Sequence, residues 1–126
     1  MSEAVSVRIN IGYRPGAFVF TAAKGKVLCG EARLTAYRKD RPVRLEQIVV
    51  RKHHRGKGIG EMLLRAVCRW LDQHDAACRL YVLAYDAPGS MGDAQLRGWY
   101  AKHGWKEWRG DMRRPSKTER RKASLK

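Results

Sequence analysis

"RGKGIGEMLLRAVCRWL", residues 55–71, sets an arginine and three glycines directly before a run of apolar residues. Ile59, Met62, Leu63, Ala66, Val67, Trp70 and Leu71 recur at i, i+3 and i+4 spacing, the single apolar stripe of an amphipathic helix. Glycine opens a helix poorly unless the backbone itself must come close to something. Upstream, VRLEQIVV at 43–50 is β-branched and apolar toward its end and reads as a strand. Strand, glycine turn, helix is a ready anion site. The turn's N–H groups point outward, the helix dipole adds partial positive charge, and the missing side chains let oxygens approach.

Three nucleotide patterns can be weighed against the turn. A Walker A loop, GxxxxGK[ST], fails because Gly60 is followed by Glu61 and Met62. The dinucleotide fingerprint GxGxxG matches at Gly56 and Gly58 but meets Glu61 at its third glycine, and antiparallel strands precede it. What fits is Arg55-x-x-Gly58-x-Gly60.

Working outward, VSVRIN (5–10) alternates and reads as a strand, and Tyr13-Arg14-Pro15-Gly16 as a turn. AFVFTA (17–22) and KVLCGEARLTAYR (26–38) read as strands around Lys24-Gly25, and Asp40-Arg41-Pro42 as another turn. RLYVLAY (79–85) is a strand, and APGSMGD (87–93) a loop whose Asp93 can cap a helix running to about His103. Short strands around Trp105–Trp108 and Asp111–Arg114 complete the order. The result is an α+β domain: antiparallel strands first, then one strand–helix–strand unit at the centre. The last stretch, PSKTERRKASLK (115–126), has almost no apolar residues and reads as a disordered tail behind a single domain at 1–114.

The chain has 126 residues, 44% of them apolar, enough for one ordinary core. No apolar run approaches a membrane span, and MSEAVSVRIN is acidic and alternating rather than basic then apolar, unlike a secretory signal. Cys29, Cys68 and Cys78 are odd in number without CxxC spacing, which predicts reduced thiols in a cytoplasmic protein and no metal. Lys and Arg number 27 against 12 Asp and Glu, a net +15. Residues 113–126 hold +6 of this, so the remainder is strongly basic too. Such a field attracts polyanions: nucleic acid, an acidic protein surface or a phosphorylated cofactor.

"LEQIVVRKHHRGKGIGEMLLRAV" resembles the acyl-CoA-binding motif of the GNAT family of N-acetyltransferases, with its signature Q/R-x-x-G-x-G/A after a strand. "LRGWYAKHGW" resembles that family's helix-then-strand segment, where an aromatic-Tyr pair precedes a Gly-aromatic pair. The two matches come in the family's order and together span residues 45–105. The resemblance implies the GNAT fold, a mixed and mainly antiparallel twisted sheet. It implies acetyl-CoA as cosubstrate, no metal, and acetyl transfer to an amine by direct attack through a ternary complex. By position it implies that Arg55, Gly56, Lys57, Gly58, Ile59 and Gly60 hold the pyrophosphate. It also implies that Val49 and Val50, on a strand splayed from its neighbour, pair with the pantetheine arm as an added strand would.

The same resemblance assigns Tyr100 as the acid that protonates the departing thiolate, with Trp99 packing beside it, and Glu46 as the base that takes the amine's proton. Both have plainer readings, a core tyrosine and a solvated strand carboxylate. His53 and His54 read as exposed loop residues, and Asp86 as a selector of a cationic acceptor group. Two departures stand out. Asp93 occupies the place where relatives often carry an Asn that touches pantetheine. Only a turn separates the first two strands, where longer members insert helices over the acceptor. The match is closest to short bacterial and phage members, and an open face suits a lysine or amino group on a macromolecule. A homodimer is compatible with such a chain. The competing class is a non-catalytic nucleic-acid binder, supported by the charge and by the aromatics among basic residues in "RGWYAKHGWKEWRGDMRR".

Overall fold

The computed structural model describes residues 4–11, 16–36, 43–82 and 91–125. Alternating residues build the first four strands: β1 (Val5–Ile11), β2 (Ala17–Lys24), β3 (Val27–Thr35) and β4 (Val43–Val50), each antiparallel to the next. A short 3-10 helix, Lys52–His54, and the glycine turn lead into α1 (Ile59–Gln73). Then come β5 (Cys78–Leu80), α2 (Asp93–Ala101), β6 (Lys106–Trp108), β7 (Asp111–Arg114) and α3 (Lys117–Ser124). Among the described residues, seven strands form one sheet in the order β1-β2-β3-β4-β5-β7-β6, in which β4 and β5 run parallel. That parallel pair brackets α1, the crossover expected of a strand–helix–strand unit.

The core lies between α1 and one sheet face. Ile59, Leu63, Leu64, Val67, Trp70 and Leu71 of α1 are buried against Phe20 and Ala22 of β2, Cys29, Ala32 and Leu34 of β3, and Val43 and Leu45 of β4. Each fully buried leucine contributes about 1.5–3 kcal/mol, which explains why the stripe dictates how α1 lies. The predicted stripe was correct except that Leu64 is buried while Met62 and Ala66 are only partly so. Only residues 12–15 lie between Ile11 at the end of β1 and Gly16 before β2.

Three sequence expectations change. The helix expected to be capped by Asp93 starts with Gly92 at the cap, and Asp93 instead pairs with Arg97 one turn on, at 2.9 Å. That helix ends at Ala101, short of His103. The terminal stretch is not a featureless tail. Ser116 caps α3 by accepting from the Glu119 N–H, and Arg113 grips Glu119 with two hydrogen bonds of 2.9 and 2.8 Å. Arg114 and Arg120 both donate to Asp72 near the end of α1, while the Thr118 N–H and hydroxyl donate to Asp75. Polar docking replaces the apolar face whose absence suggested disorder.

The expected turns at 13–15 and 40–42, the last part of the strand expected over 79–85, and Asp86 lie outside the described residues. Among the described residues no helix is long and apolar enough to cross a membrane, and no group of His, Cys, Asp or Glu could hold a metal ion. The cysteines form no disulfide; Cys29 and Cys78 are buried.

Candidate coenzyme and acyl-transfer site

The site begins where β4 and β5 part. Their pairing covers Val43↔Cys78, Arg44↔Arg79 and Leu45↔Leu80 only, so β4 runs on from Glu46 to Val50 without a described partner on that side. A register shift causes the change of direction. Arg33 faces Gln47 and Leu34 faces Leu45, which leaves Glu46 as the extra residue of a β-bulge. Before the bulge Val43 and Leu45 face the core; after it Ile48 and Val50 do. Glu46 is exposed at this corner, and the Thr35 hydroxyl donates to its carboxylate at 2.8 Å.

Backbone direction sorts the residues of β4 by the edge they face. The Arg51 N–H donates to the Cys29 carbonyl at 2.8 Å, so in the antiparallel ladder Val49 and Gln47 also turn their N–H and C=O toward β3. The Val49 carbonyl lies so close to Gly30 that a Cβ there would come within 2.7 Å of it. The groups that face the splay therefore belong to Ile48 and Val50. Val49, by contrast, turns its backbone groups toward β3. One splay-facing acceptor already has a donor, since Arg55 Nε reaches the Val50 carbonyl at 3.1 Å. That bond ties the glycine turn to the end of the strand.

In the turn, Gly56 (φ 76°) and Gly58 (φ 77°) both occupy the left-handed region, and nothing lies within 4 Å of where a Cβ would sit. Backbone conformation, not crowding, requires glycine there. Gly58 is the N-cap of α1. Its carbonyl accepts from Met62 N at 3.1 Å, but it has no side chain to satisfy the first-turn N–H groups of Ile59, Gly60 and Glu61. Those amides point out of the helix beside exposed Arg55 and Lys57. Gly60 differs: a Cβ would make ordinary contacts with Val50 at 3.6 Å and with Trp99 at 3.8 Å.

Trp99 and Tyr100 are neighbours on α2 with different surroundings. The Trp99 ring lies against the turn at Gly60 and meets the Tyr100 ring edge-on at 5.1 Å. Tyr100 is the more buried, 8% exposed, with its ring 5.7 Å from that of Trp105. Its hydroxyl makes no hydrogen bond to a described residue. Burial, with Cys78 nearby, pushes that hydroxyl up to about 12, so it stays protonated at neutral pH. His53 is exposed and His54 half-buried in the 3-10 helix, neither with a hydrogen-bonded side chain among the described residues. The sequence reading did not single out Ile48 or the wall made by Trp99; the direction of the Ile48 backbone depends on the pairing of Arg51 with Cys29, which spacing alone does not carry.

The profile of the family described as "Acetyltransferase (GNAT) domain" matches residues 15–107. The chain belongs to the GNAT acetyltransferase family. Solved GNAT-type structures share the fold. The PaiA N-acetyltransferase from Thermoplasma acidophilum, solved with coenzyme A, is 19% identical with a TM-score of 0.59. That match covers 79% of this chain and 61% of the other, so this chain spans under two thirds of its length. An IAA acetyltransferase from Bacillus cereus ATCC 14579 is 17% identical at TM-score 0.64, covering 87% of this chain and 97% of that one. An acyl-CoA N-acyltransferase from Pseudomonas aeruginosa is 17% identical at 0.58, covering 78% and 68%. No curated protein sequence matches this chain.

Proposed function

We propose that this GNAT protein is an acyl-CoA-dependent N-acetyltransferase that moves the acetyl group of acetyl-CoA to an amine within a ternary complex. The observation that carries the reading is the continuity of two features: unpaired β4 backbone at Ile48 and Val50, and an uncapped helix start entered through two left-handed glycines. Coenzyme A has both complements, a pantetheine arm with amides for a strand edge and a diphosphate for free helix N–H groups. The residues present fit it. Arg55, Gly56, Lys57, Gly58, Ile59 and Gly60 hold the diphosphate, and Ile48 and Val50 the arm.

The chemistry then follows at the bulge. A neutral amine attacks the thioester carbonyl carbon and forms the C–N bond. Glu46, exposed and oriented by Thr35, takes the amine's proton directly or through water. The splay-facing N–H groups are the donors available to the developing oxyanion. As the C–S bond breaks, Tyr100, held protonated by burial, donates to the thiolate. The short connection between β1 and β2, residues 12–15, supports an acceptor side open enough for an amino group carried on a macromolecule.

The test supplies isotopically labelled acetyl-CoA with a lysine-containing peptide and, separately, with a free small amine, reading thiol release and product mass. Labelled peptide with stoichiometric thiol supports the proposal. Thiol release without any acetylated amine would overturn the N-transfer reading, and acetylation of the small amine alone would overturn the macromolecular acceptor.

A further inference from the structure

We propose that the cleft between α1, the end of α2 and α3 binds the sugar–phosphate backbone of a nucleic acid. The cleft encloses about 690 Å³ and does not touch the glycine turn. Arg65 and Arg69 of α1 form one wall, Lys117 and Arg120 of α3 the other, with Arg114 below and Lys102 at the end of α2. Against these six cations stands one carboxylate, Asp72, a net +5. Asp72 is already engaged by Arg114 at 2.9 Å and Arg120 at 2.8 Å, so it neutralises nothing else. Arg65 has only an exposed pair with Glu61 at 3.7 Å, of the kind that contributes little. Arg69, Lys102 and Lys117 are exposed and make no salt bridge to a described residue.

A diphosphate bound at the turn does not account for the far end of this charge. Arg69 lies ten residues beyond Ile59, roughly 15 Å along a helix rising 1.5 Å per residue, out of reach of a diphosphate gripped at Gly58. Chemistry also separates the candidate occupants. An acidic protein partner needs apolar anchors at the centre of its interface, and the lining has no aliphatic or aromatic carbon side chain except the half-buried His103 and Cys68. Phosphodiester binding needs the opposite, several cations in a row and little apolar surface. Arg65 and Arg69, one helical turn apart, face the α3 cations across an open channel, and Arg121 and Lys122 continue the positive surface along α3. The polar docking of α3 is what makes the channel. The inference stands apart from the acetyl-transfer reading and survives its failure.

The test is fluorescence anisotropy of the full chain with a labelled oligonucleotide of about 20 residues, single-stranded and duplex, across about 50–200 mM salt. Three proteins are compared: wild type, R69E/K117E, and K24E/K26E, which makes the same change in net charge on the β2–β3 hairpin. Wild type should bind with a linear fall of log K against log salt. R69E/K117E should lose about tenfold or more in affinity and flatten the slope by about two, while keeping the wild-type circular dichroism spectrum and a cooperative thermal transition as proof of folding. The neutral R69Q/K117Q should show a smaller loss in the same direction. K24E/K26E should change less than about threefold, well below the cleft variant. Equal losses in the two charge-reversed proteins would overturn the proposal, as would polyglutamate competing as well as the oligonucleotide, or wild type failing to bind the oligonucleotide at all.

Discussion

Replacing Gly58 and Gly60 separately with alanine distinguishes backbone demand from ligand demand in the turn. At Gly58 the φ of 77° places an alanine in the left-handed region, and no atom lies within 4 Å of the new methyl group. The cost is therefore conformational alone, about 1–2 kcal/mol for a left-handed L-residue. For 126 residues the unfolding entropy near the midpoint is about 0.26 kcal/mol per degree, so the fall in Tm should be about 4–8 °C. At Gly60 the backbone is helical and the methyl group would rest on Val50 and Trp99, facing the protein rather than the turn's free amides. Removing a helical glycine stabilises by about 0.5–1 kcal/mol, a rise of about 2–4 °C. Scanning calorimetry reads the stabilities and titration calorimetry the coenzyme A affinity. Affinity should drop about tenfold or more for Gly58→Ala, which relaxes toward another turn, and change less than about threefold for Gly60→Ala. A Gly58→Ala protein of wild-type stability, or a folded Gly60→Ala protein that has lost coenzyme A, would refute the assignment of roles within the turn.

Other perturbations test the remaining parts. Tyr100→Phe removes a hydroxyl without a described hydrogen-bond partner, so coenzyme A affinity should hold while turnover falls about tenfold or more; unchanged turnover would return Tyr100 to the core. Glu46→Gln should lower turnover on a peptide amine about tenfold or more while coenzyme A affinity holds, and unchanged turnover would dismiss Glu46 as the base. Burial raises the Asp72 carboxyl, but hydrogen bonds from Arg114 and Arg120 outweigh it and hold it below the ordinary range. Because the folded value is depressed, its stabilisation is complete above the unfolded value of about 3.9 and is lost as pH falls further. Helical content from α3 should therefore decline in acid below about pH 4, and Asp72→Asn should weaken that decline; α3 persisting unchanged in both would sink the ion-pair account.

The features legible in the sequence were those written in spacing. The α1 stripe and the strand before it follow from periodicity, Gly56 and Gly58 from φ demand, and the second match around Tyr100 and Gly104 ordered the rest. What escaped depended on register. A bulge at Glu46 shifts which residues face the core, and neither the bulge nor the pairing of Arg51 with Cys29 is visible until strands are laid side by side. That is why spacing alone could not tell whether Val49 or Ile48 turns its backbone groups away from β3. Trp99 and Tyr100 are adjacent on one helix, so their spacing could not say which would rest on Gly60 and which would sink toward Trp105. The terminal helix was missed for a different reason. Its docking is ionic, through Asp72 and Asp75, and apolar patterning is blind to that, although Ser116-x-x-Glu119 is a capping-box signature on its face.

Titration calorimetry of the unmodified chain with coenzyme A, set beside dephosphorylated pantetheine lacking the diphosphate, tests the central claim most directly. Saturable one-to-one binding of coenzyme A, much weakened without the diphosphate and in Gly58→Ala, is the expected result. No heat with coenzyme A, or equal affinity for both compounds, would contradict it.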